Sequence, residues 1–476
     1  MKHKILVTGG LGYIGSHTVV ELINNGFEVV IIDDLSNSYE SVIDNIEKIT
    51  GLRPKFYEID LKNSVKTMQC FKDNKFDGII HFAASKSVEE SVSMPLKYYR
   101  NNVIATNSLL KSMKKNNITK KVGLIEIGRG LGGRSSTRIS KKYKGWKLNH
   151  GSPNFNISNS KNNLLLKRYI DELLENKYIK IDDSDIFFLN EESNLETIKK
   201  SEFSCGVNYL SLDSMSELSK KIIESNNLEE EIDFFFETLI VDMKFNDKEW
   251  LLTSKNGDKF KSKYLICSTN LLLHKRSLKI LNVNQIPLRK AIPINNDKKI
   301  DLLLNFLEEQ TFIPRLTFLI YTNENYSYKD YYSKKHRYFY LKNNLEKKYR
   351  FERIIFQLQD NNKLGIVVHS KNAELINSYK SAKDEEVFKQ KIITNFNKLF
   401  EENSVVHKLT FDEKISIMKW RASQPSGLAV PLSLQLSRKY RIGFCGDWFE
   451  GDGFGRIEGS ILSALILEKK IKDLFK

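Results

Sequence analysis

The stretch ILVTGGLGYIGSH, residues 5–17, decides how the chain is read. An apolar run, Ile5-Leu6-Val7, stops at Thr8 and passes through Gly9, Gly12 and Gly15 into a segment with helical patterning. A buried strand that ends in glycines and enters a helix is a phosphate-binding turn. Gly9 and Gly12 let the backbone turn tightly and approach a pyrophosphate. Gly15 lets the new helix pack on the strand, and the N-terminal amides of that helix face the anion. A glycine fingerprint alone is weakly specific, and a purely structural strand-turn-helix is the blander alternative. The context favours a nucleotide, because a second apolar run (Phe27 to Ile32) ends in Asp33 about 20 residues on, where an acid accepts hydrogen bonds from an adenosine ribose.

The 476 residues suffice for roughly two or three domains with a large core. Hydrophobic residues make up 41%, as in ordinary soluble domains, and no apolar run approaches the ~18 residues a membrane helix needs. The N-terminus enters a strand directly, so neither a signal peptide nor a membrane partner is expected. Cys70, Cys205, Cys267 and Cys445 lie far apart and form no CxxC pair. That spacing argues against a disulfide framework or a metal site and suits a reducing cytoplasm. The net charge of +16 comes mostly from lysine. It fits either attraction to anions or simply lysines on solvated faces. No Lys/Arg stripe with interleaved aromatics is present, so the expected partner is a small-molecule substrate and not nucleic acid.

Residues 1–120 alternate strands and helices, with strands near 4–8, 28–33, 55–58 and 78–82 and helices near 13–25, 39–49, 63–73 and 101–116. The expected fold class is α/β, a Rossmann-type doubly wound parallel sheet. TGGLGYIGSHTVVELINNGFEVVIIDDLSNS, then EIDLKN, then IIHFAASKSVEESVSMPLKYYRNNV closely resembles the NAD-binding half of UDP-glucose 4-epimerase, in the short-chain dehydrogenase/reductase superfamily. The resemblance implies that Gly9, Gly12, Tyr13 and Ile14 line the pyrophosphate turn of bound NAD. It implies that Asp33, Asp34 and Asn37 hold the adenosine ribose and that Asp60 and Leu61 flank the adenine. Phe82, Ala83, Ala84, Lys86 and Asn101 would lie along the nicotinamide side. In that family a serine-rich turn and a Tyr-x-x-x-Lys pair follow, the lysine lowering the tyrosine's pKa for proton transfer. Here KKVGLIEIGRGLGGRSSTR stands instead, with Ser135 and Ser136 as a poor echo of the serine turn. Tyr143 with Lys147, Tyr331 with Lys335 and Tyr338 with Lys342 have the spacing, as chance allows in a chain rich in both residues. No catalytic residue is identified, and the epimerase's sugar-nucleotide half is absent from the pattern.

From residue 122 the pattern changes. VGLIEIGRGLGGRSSTRI followed by LNHGSPNF resembles the flavin amine-oxidase superfamily, its renalase-like branch most of all. The resemblance implies FAD, with Glu126 accepting from the ribose hydroxyls, Arg134 pairing with the pyrophosphate, and His150 and Gly151 near the flavin ring. TLIVD (238–242) with WLLTSKNGDKFKSKYLICST would bring Val241 to the adenine through its backbone. MKWRAS (418–423) would place Trp420 and Arg421 by the ring, although plain core is an equal reading of Trp420. RIGFCGD (441–447) would supply Asp447 to the ribityl or pyrophosphate, and the helix beginning near Glu458-Gly459-Ser460 would point its amides at the flavin, with Gly459 permitting close approach.

The chain therefore reads as a hybrid: 1–120 an NAD-binding domain, 121–286 with 411–476 a truncated FAD-binding α/β domain lacking its first strand-turn-helix, and 287–410 an inserted α+β substrate domain. In that insertion strands are expected at Phe312 to Tyr321, Tyr338 to Leu341, Arg353 to Leu358 and Leu364 to His369, and a lysine-rich helix at Glu385 to Phe400. The strand at 122–127 is expected to serve both halves, as the fifth strand of the N-terminal sheet and as the acid-bearing strand of the flavin site. The leading functional expectation is an FAD-dependent oxidoreductase of amine-oxidase type carrying an NAD-binding half. The alternatives are an NAD-dependent sugar-nucleotide epimerase and an inactive recombined nucleotide-binding chain.

Overall fold

Two strands with no polar alternation set the core of the N-terminal region. β1 (Lys4–Thr8) buries Leu6 and Val7, and β2 (Glu28–Asp33) buries Val29 through Ile32. Strands apolar on both faces belong inside a parallel sheet covered on both sides. In the computed structural model they form one, with β3 (Lys55–Glu58) and β4 (Gly78–His81), in the order β3-β2-β1-β4. All pairings are parallel, with Lys4 opposite Glu28, Val30 opposite Lys55 and Ile5 opposite Gly78. α1 (Tyr13–Asn24) and α2 (Val42–Thr50) cover one face, where Val19, Ile23, Ile43 and Ile46 pack with Val7 and Ile31. α3 (Ser64–Asp73) supplies Cys70 and Phe71 to the other face, against Leu6, Val30 and Ile32. α4 (Val88–Ser93) and α5 (Pro95–Tyr98) lead through a π-helical turn, Tyr99–Ile104, into α6 (Ala105–Lys115), which adds Ala105 and Leu109 to that second face. The expected doubly wound sheet is present. The helix expected from 101 starts four residues later because the turn before it is π-helical.

The structure describes residues 3–86, 88–115, 122–141, 143, 145–158, 163–189, 195–197, 206–226, 228–322, 337–341, 343–359, 363–380, 384–402, 409 and 414–473. The chain divides into two units, residues 1–123 with 230–233 and residues 124–229 with 234–476. The expectation of a shared fifth strand is corrected. Val122–Ile125 forms a two-stranded ribbon with Ile232–Phe235, and the parallel sheet stops at four strands. The reason is where its hydrogen bonds go: Val122 N donates to Glu231 O at 3.0 Å and Glu126 N to Phe235 O at 2.9 Å.

The second unit is built on a seven-stranded sheet, ordered Leu195–Thr197, Ile186–Leu189, Tyr338–Leu341, Arg353–Leu358, Leu364–Ser370, Thr311–Tyr321, Lys414–Ser426. Three of these strands lie outside 287–410, so the sheet is not confined to the expected insertion. Its strands alternate. Phe318, Ile320, Phe339, Ile354, Phe356, Ile366 and Val368 face a core completed by the helix Glu385–Glu402. Leu319, Tyr321, Tyr338, Ile355 and Val367 face the opposite way, with Trp146 and Leu148. Smaller sheets comprise the hairpins Ile240–Asn246, Glu249–Ser254 and Lys259–Ser262, and Leu265–Cys267 beside Ile442–Phe444 and Leu436–Ser437. Among the described residues no helix is long and apolar enough to cross a membrane, and no cluster of three His, Cys, Asp or Glu side chains could hold a metal. Cys70, Cys267 and Cys445 are free thiols, while Cys205, Tyr331, Lys335 and Lys342 lie outside the described residues.

Candidate functional site

The cleft of the first unit opens where β1 and β4 end. Gly9 takes φ +67°, and a side chain there would bring Cβ to 2.7 Å from the Ala83 amide nitrogen. The turn after β1 thus lies directly against the loop after β4, an approach only glycine permits. Gly9 N donates to Ile32 O at 2.7 Å and Gly12 N to Gly9 O at 3.2 Å. Gly15 seats α1 on this turn, since a Cβ there would stand 2.1 Å from Gly9 O. Asp33 ties the turn to the loop after β2: its carboxylate accepts from Leu11 N at 2.9 Å, Leu35 N at 3.1 Å and Ser38 Oγ at 2.8 Å. Three donors leave room for one more on a carboxylate with about four lone-pair sites. α1 begins at Gly12 without a side-chain cap, which leaves its first-turn amides available to an acceptor in the cleft.

Gly9, Gly12, Tyr13, Ile14, Asp33, Asp34, Asn37, Asp60, Leu61, Phe82, Ala83, Ala84, Lys86 and Asn101 all line this one cleft. Sequence reasoning missed three groups beside them. Lys62 Nζ donates to Asn101 Oδ1 at 2.6 Å. Ser85 accepts from Asn101 Nδ2 at 2.9 Å, and its amide donates to Asn102 Oδ1 at 2.8 Å. Glu90 is held by Tyr98 at 3.0 Å and by Lys97. The Lys62 and Ser85 pairs join turns 39 and 16 residues apart, which only the fold brings together. His81 bridges Thr8 Oγ1 at 2.6 Å and Thr106 Oγ1 at 3.0 Å, and burial holds its pKa below the usual histidine value.

The second unit holds a separate cavity at one end of a face of its seven-stranded sheet. The register creates it. Tyr340 lies opposite Arg353, Arg353 opposite His369, and His369 opposite Thr317; Arg315 lies opposite Trp420. Opposed residues share a face, so these polar groups replace, at the strand ends, the apolar rows that fill the rest of that face. Arg134, His150 and Gly151, which flank the hairpin of Thr137–Ile139 and Lys147–Asn149, and Gln424 and Arg456 are also in the lining. The signal legible in sequence was a polar residue at an inward strand position, as in Arg315 and Thr317 of RLTFLI.

Of the nine residues assigned to a flavin, Arg134, His150, Gly151 and Trp420 meet in this cavity and Glu126, Val241, Arg421, Asp447 and Gly459 do not line it. Asp447 instead pairs with Arg134 at 2.6 Å. Glu126 accepts from Gly128 N at 2.7 Å, and Val241 packs in the hairpin core. Gly459 is required where it stands, because a Cβ would lie 2.4 Å from Gly453 O. Gly151 likewise lies against the Arg134 carbonyl, 1.8 Å from a Cβ. His150 packs edge-on to Trp420 at 5.4 Å, and burial, with the Arg138 charge, lowers its pKa to about 4. Tyr143 and Lys147 belong to this unit too, Tyr143 against the Tyr321 ring at 4.8 Å, whereas every residue of the first cleft belongs to the other.

Residues 6–128 match the model of the GDP-mannose 4,6 dehydratase family. The UDP-glucose 4-epimerase of Bacillus subtilis is 48% identical over 116 residues, 24% of this chain and 34% of that protein. The bifunctional protein GAL10 of Candida maltosa is 51% identical over 114 residues, 24% of this chain and 74% of that sequence. The crystal structure of UDP-glucose 4-epimerase from Bifidobacterium longum in complex with NAD+ and UDP is 30% identical, with 37% of this chain and 50% of that chain covered at a TM-score of 0.24. Against the first of these relatives, the chain spans about a third of the length of the protein it matches.

Proposed function

The chain belongs, through residues 6–128, to the UDP-glucose 4-epimerase/GDP-mannose dehydratase family, and from that premise we propose that its first unit is an NAD-binding module. The observation that carries the reading is the gathering of fourteen motif residues around one cleft whose floor, Gly9 against Ala83, admits no side chain. A glycine turn opening onto an uncapped helix N-terminus suits a pyrophosphate, and Asp33 keeps a lone pair for a ribose hydroxyl. The cofactor would supply hydride chemistry. This chain's residues would orient it: Lys86 and Lys62 by charge toward its oxygens, and the small Ala83 and Ala84 by leaving space for the nicotinamide. Isothermal titration with NAD+ is expected to give one site per chain, and the absence of saturable heat would remove the reading.

A sugar-nucleotide epimerase needs a base at the sugar hydroxyl. Among the described residues the first cleft holds no Tyr-x-x-x-Lys pair, and the Tyr143/Lys147 match lies in the second unit. UDP-galactose is therefore expected to yield no UDP-glucose above background; measurable conversion, followed by coupled oxidation of the product, would show that this chain finds its base elsewhere.

A flavin-dependent oxidoreductase is the second reading, favoured by the meeting of Arg134, His150, Gly151 and Trp420 in one cavity. These residues suit the ring end of a flavin. The arginine assigned to the diphosphate end is not free for it, because Arg134 is already paired with Asp447. We derive no flavin chemistry from it. The purified protein is expected to be colourless in the visible, and a stoichiometric flavin spectrum would restore the oxidoreductase reading.

A further inference from the structure

Among the described residues the cavity of the second unit is lined by four arginines, Arg134, Arg315, Arg353 and Arg456, and by no acidic residue. Three of the four have a carboxylate behind them. Arg134 pairs with Asp447 at 2.6 Å, Arg315 with Glu352 at 2.7 Å, and Arg456 with Glu458 at 2.8 Å. Arg353 is the exception among the described residues. Its Nε donates to His369 Nδ1 at 2.6 Å, and His369 Nε2 stands 3.0 Å from the His150 carbonyl oxygen. A carbonyl only accepts, so Nε2 carries the hydrogen and Nδ1 is the acceptor. His369 is therefore neutral and fixes the Arg353 plane without cancelling its charge. The two terminal nitrogens of the fork are left for a partner from the cavity.

Other polar groups in the wall are also incompletely satisfied. Thr317 Oγ1 and Trp420 Nε1 are buried without a hydrogen bond. His150 is 4% exposed, and among the described residues its ring makes one hydrogen bond, between Nδ1 and Ser136 Oγ at 3.3 Å. Buried polar groups are nearly always satisfied, so several orphans around one cavity mark a place for a ligand. Between them the walls are aromatic: Trp420, Tyr340 and Phe155. A planar cation with no carboxylate in direct contact, orphaned donors and ring surfaces together select an anion on a flat apolar body.

We propose that this cavity binds a small organic anion, a carboxylate or phosphate ester on a planar apolar body, with Arg353 as its bidentate anchor and Trp420 and Tyr340 as its walls. The site is independent of the NAD cleft. The probes are benzoate and phenyl phosphate, with benzamide as the uncharged isostere of benzoate, titrated into the full chain by calorimetry or tryptophan fluorescence. At least one anion is expected to bind saturably, and benzamide at least tenfold more weakly; which anion binds tighter tells carboxylate from phosphate. Arg353→Gln is expected to lower the affinity at least tenfold and to leave NAD+ titration unchanged, while an unchanged near-UV circular dichroism from the tryptophans, all four of which lie in the second unit, reports that this unit is folded. Absence of saturable binding by either anion, benzamide binding as well as benzoate, or an unchanged affinity in a folded Arg353→Gln chain would each overturn the proposal. The benzamide comparison uses the unaltered protein, so it decides the matter even if the variant does not fold.

Discussion

Replacing Gly15 with valine is expected to abolish NAD+ binding, by at least about a hundredfold, or about 3 kcal/mol. Its Cβ would stand 2.1 Å from Gly9 O and 2.9 Å from Gly10 Cα, and both are backbone atoms that no rotamer change can move. Relief requires α1 to lift off the turn. Overpacking of this kind costs roughly 1–3 kcal/mol. The lifted helix also carries its N-terminal amides away from the pyrophosphate, an electrostatic loss of up to about 2 kcal/mol. Gly26→Ala is the matched control. Gly26 has φ +83° but nothing within 4 Å of a built Cβ, so only local backbone strain is expected, with NAD+ affinity retained. Calorimetric titration of both variants checks the contrast. Equal loss in the two would mean that general instability of the unit, and not the seat of α1, governs binding.

Glu352→Gln is expected to destabilise the second unit by about 3–5 kcal/mol, the typical effect of leaving one member of a buried ion pair alone. Arg315 and Glu352 are joined by two hydrogen bonds, 2.7 and 2.9 Å, and their side chains are 10% and 8% exposed. Burial by itself would raise the Glu352 pKa. The hydrogen bonds and charge of Arg315, with Arg353 and Lys371 nearby, override it and hold the carboxyl at about 2. A carboxyl depressed in the folded state stabilises the fold above its ordinary pKa, and that stability is lost as pH falls from about 4.5 toward 2. The corresponding contribution is about 3 kcal/mol. His150 acts in the same direction over a higher window. Its folded-state pKa of about 4 against an ordinary 6.5 makes protonation favour the unfolded chain as pH falls between those values. Urea unfolding across this range, followed by near-UV circular dichroism, should show acid loss in two stages, with the lower stage missing in Glu352→Gln. A variant as stable as the parent at neutral pH would mean that Arg315 finds another partner, with Ser423 Oγ at 2.6 Å the first to examine.

The first unit was legible almost to the residue. Ile5-Leu6-Val7 and Phe27 to Ile32 are apolar on both faces, so they could only be central strands of a covered parallel sheet. The glycines between them admit one backbone path, and residues close in sequence to the strand ends line the cleft. Local chemistry fixed the local fold, and the sheet order followed from it. The long strand Thr311–Tyr321 was similarly open to reading, because its segment is rich in aromatic and β-branched residues.

The strand at 122–125 was misread because its sequence fits either of two partners. Which edge it joins depends on where 232–235 arrives, more than a hundred residues later, and no local signal carries that information. The segments near 126–151 and 418–459 were read as flavin motifs from their local sequence alone. Only the tertiary structure decided that Arg134 meets Asp447 across the unit, cancelling the charge expected to hold a diphosphate. The cavity itself has the same origin. Tyr340, Arg353, His369 and Thr317 come from four strands, and none is distinctive in its own segment. The antiparallel register aligns them in one row, and one carboxylate partner fewer than the number of arginines leaves Arg353 without an ion pair. Sequence by itself determined the nucleotide turn and the strands, because those depend on neighbours along the chain. The anion-selective cavity depends on which carboxylate reaches which arginine across the sheet, and only the completed fold settles that.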